Sequence, residues 1–105
     1  MTISNIDTPD EMLQKHKKLM LVFSATWCGP CQALKRNLEN IKAGLPEDMH
    51  LAVIDWDEYG DFAMKYNVKS IPTVAIFKDG ELAHRVTGVH TPSHYHEIVS
   101  TIFLS

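Results

Sequence analysis

The stretch ATWCGPC, residues 25–31, decides the fold of this 105-residue chain because it contains both cysteines, separated by two residues. It follows the apolar run 19–23 and precedes a segment whose apolar residues recur at helical spacing. A disulfide between Cys28 and Cys31 would close a very small ring, whereas even a 15-residue loop gains only about 3 kcal/mol from its crosslink. The spacing therefore indicates a bond that opens and closes in function.

The composition is typical of a globular protein, with 45% hydrophobic and 22% charged residues. A chain of this length has room for one hydrophobic core, so we expect a single domain over residues 1–105. The formal net charge of -3, without a long basic block, argues against nucleic-acid binding. The apolar runs are too short to span a bilayer, and the polar segment 1–14 is unlike a signal peptide. A cytoplasmic monomer without a membrane partner is expected.

Thiols in the cytoplasm are kept reduced, so a C-x-x-C pair there is catalytic or metal-binding before it is structural. Tetrahedral zinc needs four ligands, and we expect no second C-x-x-C or H-x-x-x-H pair to supply the other two. The six histidines are expected at the surface, with His90 nearest the site. We therefore expect no metal and no cofactor.

Outward from residues 25–31, strands alternate with helices. Strands are predicted at 2–6, 19–23, 51–54, 73–77 and 81–87. Helices are predicted from Thr8, from Cys31 to about Leu45, over 59–66 and from Thr91. A capping box of Thr8 and Glu11 begins the first helix, and Asp79-Gly80 forms a hairpin turn. The pattern predicts an α/β fold with a mixed sheet of about five strands, flanked by four helices on both faces.

Dithiol chemistry requires one reactive thiolate and a second thiol close behind it. Cys28 lies just before a predicted helix, where the helix dipole and unpaired N–H groups stabilise an anion. Cys31 lies one turn further in and should be more buried. Cys28 is therefore predicted to attack the substrate disulfide, and Cys31 to resolve the mixed disulfide that forms.

These features resemble the thioredoxin family. Residues 27–31, WCGPC, match its active-site motif, and Ile71-Pro72-Thr73 matches its cis-proline loop. Gly88 and the acidic strand end at 54–57 also agree. The resemblance implies a thioredoxin fold and a protein-disulfide reductase with a reducing potential, which acts on disulfide-containing proteins and is recharged by thioredoxin reductase. It also implies that substrates dock on an apolar surface around Cys28, formed by Trp27, Gly29, Pro30, Ile71, Pro72, Gly88 and Val89.

The sequence departs from the family pattern at three places. Val22 replaces the usual buried aspartate and Val53 its lysine partner, an exchange that removes the desolvation cost of both charges. Arg36 replaces a proline in the second helix, which predicts a straighter helix. Gln32 replaces a basic residue after the second cysteine, which weakens the local positive field.

Two functions of different class remain open from the sequence. The first is a general disulfide reductase, which the intact motif at 27–31 favours. The second is a binding or assembly subunit that uses the same apolar surface and whose thiols are incidental. The missing acid and lysine at positions 22 and 53 give this second function some weight. Trp56 is predicted to be a core residue at a strand end.

Overall fold

The computed structural model describes residues 7–104. The strands are β1 (Lys18–Ser24), β2 (His50–Asp55), β3 (Thr73–Lys78) and β4 (Glu81–Thr87). The helices are α1 (Pro9–Lys15), α2 (Gly29–Lys35), α3 (Leu38–Ala43), α4 (Gly60–Lys65) and α5 (Pro92–Leu104). The strand predicted at 2–6 lies outside the described residues.

Within residues 7–104 the sheet has four strands in the order β2-β1-β3-β4, where about five were predicted for the whole chain. β1 and β2 run parallel, while the β1–β3 and β3–β4 pairs are antiparallel. The predicted mixed sheet is confirmed. Its central strand β1 is buried along nearly its whole length, which explains why its sequence is continuously apolar instead of alternating.

Two apolar layers cover the two faces of the sheet. Alternate residues of β1 point to opposite faces, so Val22 packs with Leu34 of α2 while Phe23 packs with Phe62 of α4. The first layer also holds α3 and α5, and the second holds α1. Tyr95 of α5 is fully buried in the first layer. Helices therefore lie on both faces, as the β-α alternation predicts.

The prediction of one straight helix from Cys31 to Leu45 is wrong. The chain turns at Arg36 and Asn37, which separate α2 from α3 and raise the number of helices from the expected four to five. Asn37 donates its backbone N–H to the carbonyl of Leu34 at 2.9 Å, a tight bond that interrupts the regular ladder. Absence of proline is thus not enough to keep this helix continuous, because asparagine is itself a poor helix former.

Several local predictions are confirmed. The Thr8 hydroxyl accepts from Glu11 N–H at 3.2 Å and the Glu11 carboxylate accepts from Thr8 N–H at 2.9 Å, which is the predicted capping box. These bonds lower the pKa of Glu11. Asp79 and Gly80 both have positive φ, at 53° and 83°, as a two-residue hairpin turn with matching twist requires.

Candidate active site

Cys28 is the N-cap residue of α2. Its backbone is extended, and its sulfur accepts the Cys31 backbone N–H at 3.2 Å. Pro30 stands in the first turn, where its missing N–H leaves no bond unmade. The sulfur therefore lies at the positive end of the helix, where a thiolate would be stabilised.

Cys28 and Cys31 form a disulfide, with Cα atoms 5.3 Å apart. Their residues are 6% and 1% exposed, so the predicted order of exposure holds but the difference is small. Both cysteines pack with Ala25, and half-buried Trp56 and Ile71 cover this cluster. Trp56, predicted as a core residue, is only half-buried: it packs against the apolar layer of α4 and against the cysteine cluster, and so forms part of the wall of the site.

The loop before α2 is held by hydrogen bonds to the Ala25 carbonyl. Cys28 N–H and the Gln32 side-chain amide both donate to it, each at 3.2 Å. Gln32 therefore helps to hold this loop, a role that was not predicted from the sequence. Trp27 is 66% exposed, and its indole N–H donates to the Asp57 carboxylate at 2.8 Å. This bond fixes a large apolar ring beside the cysteines while leaving its face open.

The Ile71–Pro72 peptide bond is cis, as the sequence predicts. Ile71 packs against the cysteine cluster, and the Pro72 carbonyl accepts the Gly88 N–H at 2.9 Å. Gly88 has φ of +90°, a conformation that side chains disfavour. The structure thus joins the loop at 71–72 to the one at 88–89.

The buried Tyr95 holds the loop at 88–90 through two hydrogen bonds of its hydroxyl. Its hydroxyl donates to the Gly88 carbonyl at 3.3 Å and accepts the His90 N–H at 3.2 Å. Burial raises the pKa of Tyr95, and the bond from His90 partly offsets that rise. Val89, between these anchors, keeps 43% of its surface exposed. The loop therefore presents an apolar side chain on a fixed backbone.

The predicted docking residues differ in how they contact the cysteines and in how exposed they are. Ile71 contacts the cysteine cluster directly, and Pro72 is linked to Gly88 through the backbone. Gly29 and Pro30 are exposed beside the cysteines, and a Cβ at Gly29 would meet open space. Among the predicted docking residues, Trp27 and Val89 are the large hydrophobic side chains that are exposed.

His90 and His94 have the four-residue separation that zinc ligands can show, a spacing that the sequence-based expectation overlooked. Their rings stack with centroids 4.4 Å apart, and His90 Nε2 lies 2.8 Å from the Thr87 carbonyl. Across residues 7–104 no group of three or more His, Cys, Asp or Glu side chains could hold a metal ion.

A cavity of about 290 Å³ lies beside the strand ends that lead into the site. Its lining includes Ser24, Ala25, Lys35, Asp55 and Glu58. Ser24 is 2% exposed, and its hydroxyl has no hydrogen-bond partner within the described chain. Sequence reasoning missed this serine, although it is the one polar residue at the end of an otherwise apolar run.

Among residues 7–104, no helix has the length and apolar character needed to cross a bilayer.

Comparison with known proteins identifies a family. The family model described as Thioredoxin matches residues 2–102. The chain is 37% identical to Thioredoxin-2 of Pyricularia oryzae over 95 aligned residues. The aligned region covers 88% of this chain and 55% of that protein. It is 42% identical over 80 residues to a thioredoxin-like protein of Synechocystis sp., covering 75% and 76% of the two chains. The chain thus spans only about half the length of the first of these relatives.

A solved structure agrees with the fold. A mutant thioredoxin from Halobacterium salinarum superposes with a TM-score of 0.80 at 28% identity, over 94% of this chain and 86% of that chain. The four strands and five helices described above therefore have the arrangement of a known thioredoxin fold.

Proposed function

Because this chain belongs to the thioredoxin family, we propose that it is a thiol-disulfide oxidoreductase that reduces disulfide bonds in proteins. The single observation that carries this proposal is the Cys28–Cys31 disulfide at the start of α2. A disulfide across two residues is too small a ring to stabilise the fold much, and its position at a helix N-terminus suits a reactive thiol.

The reaction proceeds in two exchanges. In the reduced protein the Cys28 thiolate attacks one sulfur of the substrate disulfide, forms a mixed disulfide and releases the other substrate sulfur as a thiolate. The Cys31 thiolate then attacks the Cys28 sulfur, forms the internal disulfide and releases the second substrate thiolate. Two electrons pass to the substrate, and the disulfide seen between Cys28 and Cys31 is the product state of the protein.

The docking surface proposed for substrates consists of Trp27, Gly29, Pro30, Ile71, Pro72, Gly88 and Val89. Exposure of Trp27 and Val89 supports it, since aromatic and apolar groups held on rigid backbone are typical of binding surfaces. The bonds from Trp27 to Asp57 and from Tyr95 to Gly88 support the preorganisation of that surface.

The partners proposed are disulfide-containing proteins and a thioredoxin reductase that returns the Cys28–Cys31 disulfide to the dithiol. The protein is proposed to act as a cytoplasmic monomer. A reducing compartment suits this assignment because the dithiol must be regenerated after each turnover.

The alternative, a binding or assembly subunit with incidental thiols, has less support. An incidental cysteine pair would have no reason to occupy both the N-cap and the first turn of α2. The replacement of charges by Val22 and Val53 does not argue for loss of activity, because these residues pack in the core.

Reduction of insulin by dithiothreitol tests the proposal. The parent chain should accelerate precipitation of the insulin B chain, while Cys28→Ser should not exceed the rate with dithiothreitol alone. Equal rates for the parent and Cys28→Ser would favour the binding subunit instead.

A further inference from the structure

The resolving step requires Cys31 to lose a proton, and the structure offers a polar cavity near it. Cys31 is 1% exposed and packs against Ala25 and Trp56, and Ala25 also lines the 290 Å³ cavity. Val22, which stands where the family carries a carboxylate, can accept no proton. Some other group must therefore receive the proton of a buried thiol.

The strand register places polar groups one step beyond the two valines. Val22 pairs with Val53 and Ser24 pairs with Asp55 along the parallel strands β1 and β2. Residues two apart on a strand share a face, and registered neighbours point the same way. Ser24 and Asp55 therefore lie on the face that Val22 shares with Leu34 of α2.

The facing side of α2 carries Cys31 and, one turn later, Lys35. Lys35 lines the same cavity as Ser24 and Asp55, so residues of the helix and of the strand ends border it together. The Ser24 hydroxyl is buried without a partner in the described residues, although buried polar groups are normally satisfied by protein or water. A cavity of about 290 Å³ with these donors and acceptors suits several water molecules.

We propose that water in this cavity, hydrogen-bonded to Ser24, carries the Cys31 proton to the carboxylate of Asp55 during resolution of the mixed disulfide. This inference rests on the proposed disulfide reductase activity. Lys35 supports the step because its positive charge, one turn from Cys31, favours the anionic thiolate.

The step balances without a further reactant. The S–H bond of Cys31 breaks, and its proton passes through water to Asp55. The Cys31 sulfur then bonds to the Cys28 sulfur as the bond between Cys28 and the substrate sulfur breaks, and that sulfur leaves as a thiolate. In this step the Cys31 sulfur is oxidised, the substrate sulfur is reduced and the Cys28 sulfur stays at the disulfide level, while Asp55 later returns its proton to solvent.

Stopped-flow reaction of the reduced protein with dithiobis(nitrobenzoate) separates the two steps. Attack by Cys28 releases the first thionitrobenzoate at a rate proportional to reagent concentration. Resolution by Cys31 releases the second thionitrobenzoate at a rate that does not depend on reagent concentration. Ser24→Ala and Asp55→Asn should slow only the second phase, by about tenfold to a hundredfold. Ser24→Thr, which keeps the hydroxyl, should have a second phase as fast as that of the parent.

The direction of the effect distinguishes proton transfer from electrostatics. Removing the negative charge of Asp55 would by itself favour the Cys31 thiolate and speed the second phase. Glu58→Gln removes a carboxylate from the same cavity wall without touching the Ser24 register position, and it should not slow this phase. Asparagine at 55 keeps an oxygen for the 2.9 Å bond from Asp57 N–H, so the local turn is preserved.

An unchanged or faster second phase in Asp55→Asn, or a slower one in Glu58→Gln alone, would overturn this inference. Those outcomes would leave the reductase activity intact. Absence of the first phase in the parent chain would instead contradict the proposed function itself.

Discussion

Val22 on β1 and Val53 on β2 are register partners across the parallel pair, and both pack in the apolar layer beneath α2 and α3. Val22 is only 1% exposed. The family pattern has an aspartate and a lysine at these positions, so two adjacent apolar side chains replace an ion pair. The register explains why the two replacements occur together, since either charge alone would be buried without its partner.

Val22→Asp should therefore destabilise the protein in a pH-dependent way. Burial disfavours the charged form, so the pKa of the new carboxyl should rise above the unfolded value of about 3.9. The loss of stability should be smallest in acid, grow as pH rises through about 3.9 and reach about 3 kcal/mol or more at neutral pH. Urea unfolding of parent and variant across this range measures the difference.

The double variant Val22→Asp, Val53→Lys is the control for this prediction. Restoring a cation at the register position should recover part of the lost stability at neutral pH. A stability difference that does not change with pH would mean that position 22 is solvated.

His50 should make the protein less stable below neutral pH. Its ring stacks on that of His16 with centroids 4.0 Å apart, and Nε2 is buried without a hydrogen-bond partner in residues 7–104. Burial, together with the charges of His16 and Lys42, lowers the pKa of His50 below its usual 6.5. The unfolded chain therefore binds a proton that the folded chain resists, and stability is lost as pH falls from about 6.5 towards the lower folded value.

His50→Gln should flatten this dependence in chemical unfolding experiments between neutral and mildly acidic pH. His84→Gln, at an exposed position of β4, serves as the matched control and should leave the slope as in the parent. Equal slopes for the parent and His50→Gln would exclude His50 as the source.

Gly44 should be difficult to replace because of His96. A Cβ at position 44 would overlap the His96 imidazole, whose Nε2 lies 2.8 Å from the Ile41 carbonyl at the end of α3. Gly44→Ala should cost about 1 to 3 kcal/mol, because the ring must leave this bond or the helices must shift. In a His96→Ala background the same substitution should cost much less, which a double-mutant cycle by thermal unfolding would measure. Additive effects would refute the steric explanation.

Trp27→Ala should weaken reduction of protein disulfides more than reduction of a small disulfide. The exposed indole offers contact area to a protein substrate, and its loss should raise KM for insulin by roughly fivefold to tenfold. Reaction with dithiobis(nitrobenzoate) should change little. Met64→Ala is a close control, because Met64 is as exposed as Trp27, at 66%, but lies on α4. A similar rise in KM for Met64→Ala would argue against a localised docking surface.

The parts of the fold predicted well from sequence are those set by local physics. The unbroken apolar run of β1, the Thr8 capping box and the Asp79-Gly80 turn each depend on a few neighbouring residues, and all are found. The break between α2 and α3 was missed because apolar spacing continues through it. Leu34 and Leu38 are both buried in one layer, so the pattern alone does not reveal the turn at Asn37.

Sequence predicts the parts of the site that belong to recognisable motifs, but not the cavity beside them. The cysteines and the loop at 71–72 are recognisable from sequence, whereas the cavity depends on three separate segments. Ser24, Lys35 and Asp55 come together because two parallel strands end side by side under α2. The bond from Trp27 to Asp57, 30 positions apart, likewise depends on tertiary structure.

The most direct test of the dithiol mechanism is to trap its intermediate. Cys31→Ser, incubated in reduced form with a disulfide-bonded peptide, should accumulate a mixed disulfide at Cys28 that mass spectrometry detects as an adduct. Cys28→Ser should form little or none under the same conditions, because Cys31 is buried. Faster adduct formation on Cys31 in Cys28→Ser than on Cys28 in Cys31→Ser would contradict the assignment of Cys28 as the attacking thiol.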